Sequence, residues 1–250
     1  MKISIVTISY NSVDTIEDTL KSVTSQDYNN VEYIIVDGGS NDGTLDVINK
    51  FKDNIQTIIS EKDKGMYDAM NKGIQAAQGD VIGILHSDDI YQNNNILALV
   101  IDAFSKSDQI DAVYGDLEYV DRLNLSKRLR LWNAGAYKPN SFKWGWMPPH
   151  PAFFIKKSKY IEFGSYLLGL GSSADYELML RMIVKHKIKT RYLPVIITKM
   201  RMGGVSNKSF KNRIEANKND RLAWKVNNLK PFWFTLWLKP VRKIGQFIRT

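Results

Sequence analysis

Carboxylate side chains directly follow two of the apolar runs in this sequence. Asp37 follows the run at residues 31–36, and Asp88 and Asp89 follow the run at 81–85. Adjacent carboxylates after a buried strand repel each other unless a cation or hydrogen-bond donors are present. A hard divalent cation takes oxygen ligands, commonly one or two carboxylates together with waters and substrate phosphates. The Asp pair therefore predicts a Mg²⁺ or Mn²⁺ site against a diphosphate; a cap for the next helix is the alternative.

These carboxylates need a scaffold that brings their chain segments together. Apolar runs alternate with helical patterns through the first half of the sequence, which indicates βαβ units and a parallel α/β sheet with right-handed crossovers. Ligands of such sheets bind beyond the carboxyl ends of the strands. The predicted strands are 2–8, 31–36, 55–59 and 81–85; the predicted helices are one capped by Asn11 or Ser12, then 44–51, 67–77 and 96–104.

The alternation of strands and helices stops near residue 111. Short apolar runs without intervening helices predict hairpins on the edge of the sheet. A loop rich in Trp and Pro follows, then a helix and one more strand. The predicted strands here are 112–114, 117–120, 127–132 and 190–198, the loop is 144–151, and the helix lies near 174–186.

Five motifs in this order and spacing carry a family resemblance. They are SYN at 9–11, DGGSNDGT at 37–44, EKDKGMYDAMNKGIQAAQGD at 61–80, HSDD at 86–89 and ADYELMLR at 174–181. Together they resemble the family 2 glycosyltransferases with the GT-A fold, in the branch that builds bacterial capsule, exopolysaccharide or O-antigen chains. The resemblance covers residues 2–205. It implies an inverting transfer, in which an acceptor hydroxyl attacks the anomeric carbon opposite the departing nucleoside diphosphate.

The resemblance also implies roles for the residues of the donor pocket. Tyr10 would stack on the nucleotide base with Ser9 beside it. Asp37 would accept a hydrogen bond from the base, and Asp63 would lie in the same pocket. Asp68 would face the site from the helix at 67–77, and so would Asn71, which lies one turn further along the same helix face. A solvated helix face is the alternative for both residues.

The catalytic roles come from the same resemblance. Asp88 matches the carboxylate on the ribose or metal side of the family's D-x-D variant, and Asp89 matches the direct metal ligand. Asp175 matches the general base that deprotonates the acceptor hydroxyl, a function that contributes about 10²–10⁴-fold to rate. Glu177 is the second candidate for the base. An N-cap of the following helix is the structural alternative for Asp175.

Two further segments resemble parts of the family's site. His150, after Trp144 and Trp146, matches the acceptor-side loop; these tryptophans are either a sugar platform or part of the core. Arg201 and the glycine-containing segment at 203–206 match a C-terminal loop in which a basic residue meets the diphosphate. Many relatives also place a His there as a metal ligand, and this sequence has no His after His186.

The charge distribution argues against a nucleic-acid partner. The formal net charge is +9, yet residues 206–250 hold 11 of the 35 basic side chains and 2 of the 26 acidic ones. Residues 1–205 therefore carry 24 of each sign and no net charge. The sequence also lacks an aromatic and basic motif of the nucleic-acid-binding classes.

The basic residues 206–250 form a predicted extension of the domain at 1–205. Trp233 and Trp237 lie among apolar residues, and a helix from Pro240 would present an apolar stripe with the charges largely opposite. Tryptophan, Lys and Arg beside apolar residues suit the surface of an anionic membrane. Packing on the catalytic domain and a homodimer contact are the alternatives.

The cellular location is predicted from what the sequence omits. It contains no Cys, which excludes disulfides and thiol chemistry and favours a reducing cytoplasm. No apolar leader precedes the first strand, and the apolar run at 232–238 is too short to span roughly 30 Å of hydrocarbon. We expect a cytoplasmic protein, peripheral on the inner face of the plasma membrane.

The sequence thus predicts a metal-dependent hexosyltransferase. Its donor would be a nucleotide-diphosphate sugar, UDP-linked, its cation Mn²⁺ or Mg²⁺, and its acceptor a lipid-linked glycan. A catalytically inactive nucleotide-binding or regulatory module on the same fold is the alternative. The retention of Asp88, Asp89 and Asp175 together argues against that alternative.

Overall fold

A computed structural model describes residues 1–203, 210–244 and 246. One mixed sheet of nine strands runs through it in the order β3-β2-β1-β4-β8-β6-β9-β5, and β7 pairs with β6. The strands are β1 (Ile3–Ser9), β2 (Val31–Asp37), β3 (Thr57–Ser60), β4 (Val81–His86), β5 (Asp89–Tyr91), β6 (Ala112–Val120), β7 (Arg128–Trp132), β8 (Phe153–Lys156) and β9 (Thr190–Arg201). The α-helices are α1 (Ile16–Thr24), α2 (Thr44–Asn49), α3 (Met66–Ala76), α4 (Ile96–Ser105), α5 (Lys157–Phe163), α6 (Ala174–Met179), α7 (Phe210–Val226) and α8 (Thr235–Ile244).

The parallel half of the sheet confirms the predicted βαβ units. β1 pairs in parallel with both β2 and β4, and β2 pairs in parallel with β3. Helices cover both faces: α1, α2 and α4 pack on one hydrophobic layer, whereas α3, α6 and α7 pack on the other. Because both faces are covered, residues along β1 and β2 are buried almost without exception, as their continuous apolar sequences require.

The second half of the sheet differs from the prediction in three places. The two short strands expected at 112–114 and 117–120 are one continuous strand, β6, which lies inside the sheet because it pairs with β8 on one side and β9 on the other. Strand β8 and helix α5 were not predicted. Asp89 itself begins a strand, β5, which pairs antiparallel with the end of β9. The predicted hairpin partner of β6, strand β7, is confirmed.

A buried ion pair fixes the helix that carries Asp175. α6 continues into a π-helical stretch, Leu180–Lys185, and Arg181 on this stretch reaches back to Glu177. The Nε of Arg181 donates to Oε1 of Glu177 at 2.9 Å, and its other nitrogens donate to backbone carbonyls of residues 163–165. Glu177 is fully buried and also accepts from Asn227 at 2.9 Å. Glu177 therefore does not fit the role of second candidate base, because its carboxylate is sealed from solvent and fully engaged.

The basic C-terminal segment packs on the part of the chain that contains the sheet. The indole Nε1 of Trp224, which is buried, donates to the Tyr176 hydroxyl at 2.9 Å, and the Thr235 hydroxyl donates to the Lys143 carbonyl at 2.7 Å. A Cβ at Gly145 would lie 2.7 Å from the backbone nitrogen of Lys239, so this approach requires a glycine. The predicted division between 205 and 206 lies outside the described residues. Among the helices that the structure describes, none has the length and apolar content needed to cross a bilayer.

We expect Arg181→Met to lower the free energy of unfolding by about 3–5 kcal/mol, because it leaves the Glu177 charge buried without a charged partner. The measurement is urea denaturation followed by circular dichroism. Lys106→Met is the matched control, since Lys106 and Asp102 form an exposed pair whose contribution is about 1 kcal/mol or less. Equal losses in the two variants would contradict the assigned role of the buried pair.

Candidate active site

The carboxyl ends of the central strands meet at one edge of the sheet, as predicted. The register pairs Ser9 with Asp37 across β1 and β2, and Asp37 with Ser60 across β2 and β3. On the other side of β1, Ile8 pairs with His86 at the end of β4. The loops that follow these strands therefore start from neighbouring positions and form a common wall.

The carboxylate of Asp37 organises this wall. It accepts hydrogen bonds from the Ser9 hydroxyl at 3.0 Å, the Ser60 hydroxyl at 3.0 Å, the Gly39 amide at 3.0 Å, and the Ser40 amide and hydroxyl at 2.9 and 2.5 Å. A carboxylate offers about four lone-pair positions. Asp37 is thus fully engaged inside the protein, and its predicted contact with a nucleotide base would have to compete with these donors.

An open cleft of about 500 Å³ lies beside Asp37, in the size range of ligand sites. Tyr10, with 64% of its surface exposed, and Asp63 are both on its walls, so the structure brings these two predicted residues together. A Cβ on Gly38 would lie 2.6 Å from Oδ2 of Asp63 and 3.3 Å from the Tyr10 ring, so glycine keeps the cleft floor open. Its lining residues are Tyr10, Gly38, Gly39, Lys62, Asp63 and Gly65.

Asp68 and Asn71 are held by local contacts instead of facing this cleft. Asp68 accepts from the Lys64 amide at 3.0 Å and lies 3.7 Å from the Lys72 ammonium, so it stabilises the start of α3. The Asn71 amide exchanges two hydrogen bonds of 2.9 Å with the backbone of Tyr166. Neither residue lines the cleft, which favours their structural interpretation over the predicted role in the site.

Asp89 is the most unusual carboxylate of the structure. It is fully buried, and both of its oxygens lack a hydrogen-bond partner among the described residues. Burial, and then the neighbouring Asp88, raise the pKa of Asp89 well above its ordinary value; burial also raises the pKa of Asp88. The alternative that this pair caps the next helix is wrong, because α4 begins after Asn95.

Arg201 contacts the backbone of the segment that carries Asp88 and Asp89. Its guanidinium is buried; it donates to the Asp88 carbonyl at 2.8 Å and the Arg122 carbonyl at 3.2 Å, and it forms an ion pair with Asp18. The predicted contact of Arg201 with a diphosphate would require these bonds to break. The loop expected at 203–206 lies outside the described residues beyond Gly203.

Asp88 and Asp89 fit a divalent cation by their chemistry. No group of three His, Cys, Asp or Glu side chains suited to a metal ion occurs within 1–203, 210–244 and 246. A protein cage is not required, since Mg²⁺ commonly binds one or two carboxylates and completes its shell with water and phosphate oxygens. The unpartnered buried oxygens of Asp89 need a cation or a proton, and the diphosphate of a donor would supply the remaining ligands.

Asp175 lies in the first turn of α6 and is held at both carboxylate oxygens. Oδ1 accepts from the Tyr176 amide at 2.7 Å, and Oδ2 lies 3.1 Å from Nδ1 of His150. Burial opposes its ionisation, but the hydrogen bond from His150, the charge of Lys239 and the Tyr176 amide together outweigh it, so the pKa of Asp175 is lower than usual. The carboxylate is therefore ionised at neutral pH, as a general base must be.

The sequence did not assign a role to His86, which completes this cluster. Its Nε2 lies 3.2 Å from Nε2 of His150, and burial lowers the pKa of His86 to about 3. Its position at the end of a strand that leads into Asp88 was the available signal.

The two tryptophans of the loop at 144–151 differ in burial. Trp146 is buried and donates a hydrogen bond to the Ala134 carbonyl, whereas Trp144 is 52% exposed.

Comparison with known proteins identifies the family. The model for "Glycosyl transferase family 2" matches residues 4–165. The chain belongs to glycosyl transferase family 2. It is 33% identical over 186 residues to an uncharacterized glycosyltransferase of Mycobacterium tuberculosis, which covers 72% of this chain and 68% of that protein. It is 30% identical over 208 residues to a PGL/p-HBAD biosynthesis glycosyltransferase of Mycobacterium bovis, with coverage of 82% and 78%.

Solved structures confirm the expected GT-A fold of this glycosyltransferase. S. aureus TarS 1-349 superposes with a TM-score of 0.70 at 16% identity, over 98% of this chain and 72% of that one. The mannosyltransferase PcManGT from Pyrobaculum calidifontis, in complex with GDP-Man and Mn²⁺, gives a TM-score of 0.66 at 15% identity, over 96% and 72%.

We expect Asp89→Asn to raise the melting temperature of the metal-free glycosyltransferase at neutral pH, by about 2–4 °C per kcal/mol gained. A raised pKa in the folded state means that ionisation of Asp89 costs stability as pH rises above the ordinary value of about 3.9. The gain should therefore shrink as pH falls toward that value. Differential scanning fluorimetry across pH measures it.

If UDP with Mn²⁺ raises the melting temperature of the wild type, the same Asp89→Asn variant should lose that increase. Asp102→Asn, on the exposed face of α4, is the control: loss of its exposed pair with Lys106 should change the melting temperature only slightly and the ligand-induced shift not at all. An Asp89→Asn protein that is less stable than wild type without metal would contradict the reading of this carboxylate as unpartnered.

Proposed function

We propose that this enzyme is an inverting, metal-dependent hexosyltransferase. It transfers a sugar from a nucleotide-diphosphate sugar, UDP-linked, to a hydroxyl of a lipid-linked glycan in cell-surface polysaccharide synthesis. One observation carries the proposal: the Asp175 carboxylate is joined through His150 and His86 to the strand that leads into Asp88 and Asp89. The proposed base for the acceptor and the proposed carboxylates for the donor are thus linked through side-chain contacts and the end of one strand.

The donor side is supported by the cleft and by structural neighbours. Tyr10 offers an exposed ring for a base, and the glycine floor lets a nucleotide approach the backbone. TarS has been solved with UDP and with UDP-GlcNAc, and PcManGT with GDP-Man and Mn²⁺. A divalent cation held by Asp89 and Asp88 would neutralise charge on the departing diphosphate.

The chemistry of the chain's own residues follows from Asp175. The acceptor hydroxyl loses its proton to the carboxylate while its oxygen forms a bond to the anomeric carbon. The bond from that carbon to the diphosphate oxygen breaks, and its electron pair leaves with the nucleoside diphosphate. Because attack and departure occur on opposite faces of the sugar, the anomeric configuration inverts. His150 holds the base in place during this transfer.

The class of acceptor is inferred from the names of two relatives and from an aromatic patch on the protein surface. One relative acts in PGL/p-HBAD biosynthesis, and 97 residues match, at 37% identity, a putative teichuronic acid biosynthesis glycosyltransferase of Bacillus subtilis. Both names refer to the cell envelope. An inactive nucleotide-binding module remains the rival, and it predicts donor binding without turnover in every assay.

An aromatic patch at the C-terminal end supports a place on the cytoplasmic membrane surface. It consists of Trp144, Phe232, Trp233 and Phe234, whose rings contact one another at centroid distances of 5.3–5.9 Å, and of Trp237 nearby in the sequence. Trp233 is 85% exposed and Trp237 65% exposed. Exposed tryptophans flanked by basic residues suit a lipid headgroup layer, where each nearby cation adds about 1 kcal/mol.

We expect Asp175→Asn to lower kcat by about 10²–10⁴-fold, because the acceptor hydroxyl loses its base. The measurement is nucleoside diphosphate release across a panel of UDP- and GDP-sugars with alkyl glycosides as acceptors, using the pair that turns over. The thermal shift with UDP and Mn²⁺ should not change. The exposed Asp108→Asn variant is the control. A loss of donor affinity with unchanged kcat would refute the assignment.

We expect the double variant Trp233→Ser/Trp237→Ser to bind vesicles of phosphatidylglycerol and phosphatidylcholine at least about tenfold more weakly, since two indoles leave the interface. Co-sedimentation measures the bound fraction. Leu123→Ser is the matched control, because Leu123 is 94% exposed at the turn between β6 and β7. Equal binding by both variants would place the membrane contact elsewhere or remove it.

A further inference from the structure

Three side chains from separate segments form a continuous chain of contacts. Asp175 comes from α6, His150 from the turn before β8, and His86 from the end of β4. Nδ1 of His150 lies 3.1 Å from Oδ2 of Asp175, and its Nε2 lies 3.2 Å from Nε2 of His86. The two imidazole rings meet edge to face, at 76° and 5.3 Å between centroids. Both nitrogens of His150 are therefore in contact with a partner.

The donors and acceptors of this chain can be assigned by elimination. An ionised carboxylate only accepts hydrogen bonds, so Nδ1 of His150 must carry its proton. When His150 is neutral, this is its one N–H, and its Nε2 must act as an acceptor. His86 must then donate from its own Nε2. The two tautomers are thus fixed: Nδ1–H on His150 and Nε2–H on His86.

This assignment excludes His150 itself as the base for the acceptor. An Asp and His dyad would use a free Nε2 to take the proton, with the carboxylate orienting the ring. Here the Nε2 of His150 is occupied by His86. Each oxygen of Asp175, in contrast, has one fixed donor and keeps a lone pair for a hydroxyl.

We propose that His150 and His86 are positioning residues, which fix the Asp175 carboxylate relative to the strand that carries the donor-side aspartates. The inference rests on the proposed function, in which Asp175 is the base. His86 is the last residue of β4, and its backbone is held in the parallel ladder by β1. Ser87, the next residue, donates its amide to the Ile8 carbonyl at 3.2 Å. The orientation of the Asp175 carboxylate is thereby fixed relative to the central strands of the sheet.

The contact also sets the charge of the base. Burial alone would raise the pKa of Asp175, and His150 opposes this. Without His150 the pKa should rise, so the acidic limb of the kcat profile should move to higher pH, because the base must be deprotonated. The titratable groups that interact with Asp175 are His150, His86, Lys239, Tyr67, Tyr119 and Tyr166.

The first test reads the tautomers without any substrate. The protein has three histidines, so long-range ¹⁵N–¹H correlation spectra of histidine-labelled protein are readily assigned with the variants His186→Gln and His86→Gln. We expect the Nδ1–H tautomer for His150 and the Nε2–H tautomer for His86. A His150 ring protonated on Nε2 at neutral pH would overturn the proposal.

The second test uses matched substitutions. His150→Leu removes both contacts and should lower kcat by about tenfold to a hundredfold, with donor KM unchanged and the acidic limb moved upward. His150→Asn places an amide donor near the position of Nδ1 and should recover most of the lost kcat and restore the limb. His186→Gln is the control, because the His186 ring stacks on Phe163, with 3.9 Å between ring centroids, and is not part of the contacts between Asp175, His150 and His86.

Asp175→Asn in the same assay separates the two ideas. If Asp175→Asn keeps full turnover, the proposed base is wrong and the inference falls with it. If Asp175→Asn is inactive while His150→Leu keeps the wild-type kcat and pH profile, the base stands and the positioning role is overturned. A loss in His150→Leu that His150→Asn does not recover, with the limb unmoved, also counts against the role.

Discussion

Several carboxylates meet at one edge of this sheet, and the electrostatic cost of that arrangement governs the whole site. A carboxylate away from water needs hydrogen-bond donors, a cation or a proton. Asp37 is saturated by five donors, and Asp175 is held by an amide and an imidazole. Asp89 has no hydrogen-bond donor among the residues that the structure describes. The folded chain therefore neutralises the charges that shape the site and leaves one charge to be matched by a ligand.

The C-terminal segment takes part in the same charge balance. Lys239 lies 3.7 Å above the centre of the Tyr176 ring and pairs with Asp220, and its charge favours the ionised form of Asp175 against the effect of burial. The surplus of positive charge in residues 206–250 is thus not wholly directed at an external partner. The two alternatives weighed from the sequence, packing on the domain and membrane contact, are compatible, since the buried residues face inward while Trp233 remains exposed.

The parallel half of the fold was predictable from sequence because each strand there is a continuous apolar run followed by a polar turn. Strand β6 was not, because Gly115 and Asp116 interrupt its apolar pattern, yet Asp116 is satisfied inside by the Ala134 amide and the Tyr192 hydroxyl. Strand β5 is only three residues long and exists through its pairing with distant β9. Local sequence carries no signal for such long-range partners.

The same limit explains which site residues were found. Tyr10, Asp63, Asp89 and Asp175 follow from motifs, whereas the role of His86 depends on a contact 64 positions along the chain. Fully satisfied polar contacts identify residues that shape the protein, such as Arg201 and Asp68. Asp89 is of the other kind: its buried carboxylate has no hydrogen-bond partner among the described residues, and such a charge lowers stability unless a ligand meets it. By that criterion the oxygens of Asp89 and the free lone pairs of Asp175 are the groups that we propose for contact with substrate.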